Sequence, residues 1–86
     1  MKKYKRNFLK HYNIAEQDFI SCMIHDCGLQ AVDIHHVLLK SRGGTDEVSN
    51  LCALCRTHHQ AAHFLVEPYL SEEYLLEVVV QDNLNR

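Results

Sequence analysis

The sequence predicts a small α+β domain that carries a structural zinc site and is covered by flanking helices. Three observations support this. The chain has 86 residues, enough for one domain that buries only about 60% of its unfolded surface, so its apolar core needs reinforcement. Four cysteines and seven histidines are concentrated in "CMIHDC", "DIHH" and "LCRTHHQAAH", where metal-binding side chains recur at short spacings. Short β-branched or apolar stretches alternate with helical ones, and no repeat, low-complexity tract or linker separates them. One unit spanning residues 1–86 is therefore expected.

The elements follow in order. Residues up to about 20 fit a helix, with Phe8, Leu9, Tyr12, Ile14 and Phe19 packing on the body. Within it, residues 1–11 hold Lys2, Lys3, Lys5, Arg6 and Lys10 and no acid. Such a basic arm suits phosphate contacts and equally suits a solubilising terminus. "CMIHDCG" separates Cys22 and Cys27 by four intervening residues and closes on Gly28, a turn that can bring two thiolates together. "AVDIHHVLL", 31–39, reads as a strand, and "KSRGGTDEVSN" is turn chemistry throughout. "LCALC" is an extended piece leading into a helix from about Cys55 to Val66 that Pro68 ends. The last helix spans about 71–82, with Ser71 as its N-cap, Glu72 and Glu73 in its first turn, and Leu70 and Leu75 spaced as a hydrophobic staple.

Composition narrows the function classes. The formal net charge of −2 argues against a surface coated with nucleic-acid-binding charge, yet it conceals a gradient. Residues 64–86 carry Glu67, Glu72, Glu73, Glu77 and Asp82 against a single base, Arg86, so a basic arm precedes an acidic tail. No apolar run approaches the roughly 20 residues that cross a bilayer. The N-terminus lacks the apolar core of a secretory signal, so a cytoplasmic location with reduced, metal-binding thiols is expected rather than disulfides.

The ligand candidates separate by helical geometry. On a helix starting near Cys55, Cys55 shares a face with His58, and His59 shares a different one with His63. Cys22, Cys27, Cys55 and His58 then form a Cys3His set, the donor set of structural zinc. Cys52 can replace His58 in that set but, lying between apolar neighbours, reads as core. His25 reads as exposed. His59 and His63 need a third donor, which His35 can supply, giving a site with open positions for water and a phosphate oxygen. His36 points away from its neighbour on a strand. A histidine beside a metal but off it suits a general base in phosphodiester hydrolysis. Asn50 can bridge the loop backbone or serve as a plain turn residue.

"VDIHHVLLKSRGGTDEVSNLCALCRTHHQAAH", 32–63, resembles the core motif of the HNH endonucleases, whose fold is the ββα-metal finger. Paired histidines before an aliphatic residue, the "RGG" loop, the "NL" step, "LC" followed by two residues and a histidine, and a last histidine four residues beyond His59 all match in order. With the cysteine pair included, the core motif covers 22–66 and looks like the zinc-bearing variant of small phage or prophage members. The resemblance implies that His36 is the general base and that Asn50 positions it or its loop. It implies that His35 and His59 bind a divalent metal (Mg, Mn, Ni or Zn), with His63 completing the shell or touching phosphate. It implies a DNA substrate cut to 5′-phosphate and 3′-hydroxyl ends, with phosphate contacts from Lys40, Arg42 and Arg56. A delivering protein or a second copy are candidate partners. The chain departs from the family where His58 stands for the usual cysteine. The competing expectation is a catalytically idle, zinc-stabilised module that binds DNA or protein.

Overall fold

The computed structural model describes residues 1–84; Arg86, the one base of the acidic tail, lies outside the described residues. Helix α1 (Lys3–His11) buries Phe8 and Leu9 and leaves its lysines exposed. The basic arm is therefore a docked amphipathic helix. It ends at Tyr12, after which Asn13 takes φ 54°. Its closing bonds, Ile14 N–H to Leu9 O at 2.9 Å and Asn13 N–H to Lys10 O at 3.2 Å, form a Schellman turn. The helix thus stops well short of residue 20. Phe19, past that stop, is 64% exposed, contrary to its expected packing, and Ile20 contributes to the core in its place.

The centre of the molecule is an antiparallel pair, β1 (Asp33–His36) and β2 (Leu51–Leu54). In register, Asp33 faces Leu54, Ile34 faces Ala53, His35 faces Cys52 and His36 faces Leu51. β1 is shorter than the stretch 31–39 because the chain leaves the ladder after Val37, whose N–H donates to Asn50 O, and tightens into a 3-10 turn at Lys40–Arg42. Every residue of β2 is buried. Cys52 and Leu54 join Val37, Leu75 and Val79 on one side, and Leu51 and Ala53 join Phe8 on the other. One strand therefore serves two small cores, with side chains alternating between them.

Helix α2 (Arg56–Ala62) is shorter than the expected 55–66 and does not end at Pro68. Phe64, at φ 60°, lets its own N–H reach Ala61 O and the Leu65 N–H reach Gln60 O at 2.9 Å. That is a second Schellman turn, with a bulky residue in the left-handed position. Helix α3 (Glu72–Leu84) starts as the sequence indicates: Ser71 Oγ accepts from Tyr74 N–H at 3.1 Å, and Leu70 packs with Leu75 in one core. Leu75 and Val79 are almost fully buried, so α3 is the lid over the first core. No helix is long and apolar enough to cross a membrane among the described residues.

Between β1 and β2, the Asn50 side chain ties the two ends of the loop together. Asn50 Oδ1 accepts from Leu38 N–H at 2.8 Å, while its Nδ2 donates to Leu38 O at 3.0 Å and Thr45 O at 2.9 Å. Gly44 passes so close to Leu38 that a Cβ there would sit 1.7 Å from the Leu38 carbonyl oxygen. Gly44→Ala must push backbone against backbone and is expected to cost about 3 kcal/mol or more. Gly28→Ala meets nothing within 4 Å and is expected to cost only about 1–2 kcal/mol for its left-handed φ. Urea unfolding of the two zinc-loaded variants checks that order.

Candidate metal centres and catalytic cleft

The first cluster assembles from three places. A turn across Cys22–Cys27, drawn in by Cys27 N–H to Ile24 O and Cys22 N–H to Leu29 O, presents two thiols. Cys55 is the N-cap of α2, and His58 lies one turn on. The ligand atoms of Cys22, Cys27, Cys55 and His58 all fall within 4.8 Å of one another. Cys27 Sγ is 3.8 Å from Cys55 Sγ, and His58 Nδ1 is 3.5 Å from Cys22 Sγ and 3.3 Å from Cys55 Sγ. Zinc bonds of about 2.3 Å to sulfur and about 2.0 Å to nitrogen set tetrahedral edges of about 3.8 Å (S to S) and about 3.5 Å (S to N). The donors and spacings fit a structural zinc ion.

The thiols are electrostatically primed in different ways. Burial pushes Cys22 up to about 11, so its thiolate needs a compensating cation. Burial also works against Cys55, but the N–H groups of His58 and Thr57, together with the Cys27 and Cys22 thiols, outweigh it and hold its pKa below the ordinary value. Cys52 lies outside the cluster, buried in the first core, and burial raises it to about 12. His25 is exposed beside Asp26.

The second cluster lies across α2. His35, His59 and His63 place one ring nitrogen each within 4.8 Å of the others, with His59 Nε2 and His63 Nε2 3.2 Å apart. His35 is buried, and its desolvation, then the nearby His59 and His63, push it down to about 4. It is therefore a neutral imidazole with a free lone pair at neutral pH. His59 Nδ1 lies 3.0 Å from Asp33 Oδ2, the carboxylate contact that typically orients a metal-binding histidine and leaves its Nε2 for the ion. The three nitrogens fit a cation bound on one side with its other side open.

His36 projects from the opposite face of β1. Its Nε2 lies 2.9 Å from Asp46 Oδ1, and the Tyr4 ring stands edge-on at 4.6 Å. Strand twist still brings it to the same opening: His35, His36, His59 and His63 line one cleft with Lys2 and Lys40. Arg42 lines an adjoining cavity with His35 and His63 and pairs with Glu72 at 3.1 Å. Arg56 is exposed at the first position of α2 and does not line the cleft. The Asn50 side chain hydrogen-bonds to no imidazole among the described residues. It bridges Leu38 and Thr45, the two ends of the loop after His36.

Sequence reasoning passed over Asp33 and Asp46. Asp33 was findable, because two residues before His35 on a strand means the same face. Asp46 was not, because an aspartate in a glycine-rich loop looks like any turn residue.

Two short antiparallel strands and a helix that converge histidines on one cleft, braced by a Cys3His cluster, define a ββα-metal finger. A family model for HNH endonucleases matches residues 20–64, a little over half of the chain. The chain belongs to that family. No curated protein matches it and no solved structure does.

The first cluster separates the thiols that hold an ion from the one that only packs. Cys22→Ser is expected to release the tightly held zinc and lower the melting temperature, whereas Cys52→Ala retains the zinc. Metal analysis alongside thermal unfolding reads both.

Proposed function

We propose that the protein is a divalent-metal-dependent DNA endonuclease, a single nuclease domain over residues 1–86 that cuts phosphodiesters to 5′-phosphate and 3′-hydroxyl ends. One observation carries this reading. His36 is no part of the three-histidine cluster, yet it opens into the same cleft. A module that only binds DNA or protein has no use for a separate imidazole there, and a hydrolase needs one.

In this reading His35, His59 and His63 hold the cation, which when bound supplies positive charge to the phosphate and to the departing 3′ oxygen. Imidazole donors favour Zn²⁺ or Ni²⁺ over Mg²⁺, which prefers oxygen ligands. His36 removes the proton from the attacking water. Asn50 keeps the chain after β1 and the glycine loop in fixed relation, so the base does not drift. Lys40 and Lys2 beside the cleft, and Arg42 and Arg56 flanking it, attract backbone phosphates without reading sequence. Binding of this kind is weak and salt-sensitive, which suits delivery of the substrate by another protein or pairing with a second copy. A cytoplasmic, phage-associated setting accords with reduced, metal-binding thiols.

Purified protein is expected to nick supercoiled plasmid with added Ni²⁺ or Zn²⁺ at lower concentration than with Mg²⁺, and to stop when chelator is added. Ligase should reseal the nicks if the ends are 5′-phosphate and 3′-hydroxyl. His36→Ala is expected to lose about 100-fold or more of the rate while keeping its zinc and its unfolding midpoint. Full activity in that variant refutes the assignment.

A further inference from the structure

Asp46 has no task in the reading above, yet both of its carboxylate oxygens are engaged. Oδ1 lies 2.9 Å from His36 Nε2, and Oδ2 accepts from Lys40 Nζ at 3.0 Å. The His36 and Asp46 side chains are only 13% and 18% exposed. Its backbone is anchored as well: Asn7 Nδ2 donates to Asp46 O at 3.1 Å, and Asn50 holds the neighbouring Thr45 carbonyl. The contact is thus made between two fixed pieces of chain rather than by a loose surface carboxylate. The hydrogen bonds from His36 and Lys40 also keep Asp46 below the ordinary carboxylate range, so it is ionised at neutral pH.

An ionised carboxylate can only accept. The proton in the contact therefore sits on His36 Nε2. A neutral imidazole carries one ring proton, so Nδ1 is left with the lone pair. We propose that Asp46 is a positioning residue of the nuclease, fixing His36 as its Nε2–H tautomer so that Nδ1 is the basic atom, with Lys40 steadying the carboxylate from its other oxygen. This rests on His36 acting as the base. Nδ1 takes a proton from water as the water oxygen forms its bond to phosphorus. The bond from phosphorus to the 3′ oxygen breaks, and its electron pair leaves with that oxygen, which is protonated from solvent. The imidazolium so formed is stabilised by Asp46, which gains no proton itself, as in a carboxylate–histidine pair generally.

The tautomer and the rate test this together. Nitrogen-15 NMR of the full zinc-loaded chain at alkaline pH is expected to show His36 protonated on Nε2. Asp46→Asn, whose amide can donate or accept, is expected to mix the tautomers and lower kcat on plasmid by about 10- to 100-fold, leaving KM and zinc content unchanged. Asp46→Glu restores the tautomer and part of kcat. An Nδ1–H tautomer in the unmodified chain overturns the proposal even if Asp46→Asn fails to fold. A drop in kcat with the tautomer unchanged overturns it as well. An inactive His36→Ala beside a fully active Asp46→Asn overturns the proposal alone, whereas a fully active His36→Ala overturns the base reading with it.

Discussion

The register of two four-residue strands decides almost everything else. With His35 opposite Cys52 and His36 opposite Leu51, one imidazole is directed into the side of the sheet covered by α2 and α3, and its neighbour into the side covered by α1. A slip of one residue would exchange the two faces. It would bury His36 beside His59 and His63 and place His35 near Tyr4 and Asp46. The residues that hold this register are Asn50, which bonds the chain leaving β1 and also begins β2's approach, and Gly44, which alone lets the loop pass over Leu38.

The apolar contribution to this fold is thin and divided. Among the described residues, β2 is the only element buried along its whole length, and its side chains are shared between a core with Phe8 and a core with Leu75 and Val79. Each half is small. The Cys22–Cys27 turn rests on β2 through Met23 N–H to Ala53 O at 2.9 Å, so a cation between that turn and α2 ties together segments that apolar contact holds only lightly. For a chain of this size, metal binding is part of the folding free energy.

Much of the candidate site's geometry was legible because the convergence of possible ligands depends on spacing, and spacing is written in sequence. Cys22 and Cys27 in one turn, Cys55 and His58 in one helical turn, and His59 and His63 on one face required only helix and turn geometry. Asn50's bridging of the loop was one of two readings its chemistry allowed. Element ends were less legible. α2 stops because Phe64 adopts a left-handed conformation, and a phenylalanine carries no sign of that. Phe19 read as apolar packing surface because a helix was extended past Asn13. Asp46 depends on how a loop is folded back by Asn50 and Asn7, a tertiary fact that no local pattern announces.

The brevity of α2 has a consequence of its own. Seven residues carry His58 toward one group of donors and His59 toward the other, and the Schellman turn fixes His63 immediately beyond. The helix is a strut held at two points. Whatever rotates it to suit one cluster moves donors of the other, so two ions bound there would be thermodynamically linked, and reciprocally. A change at His58 would therefore reach across the helix: a Cys22–Cys27–Cys55–His58 cluster that held an ion less firmly would also hold the histidines of the cleft less firmly.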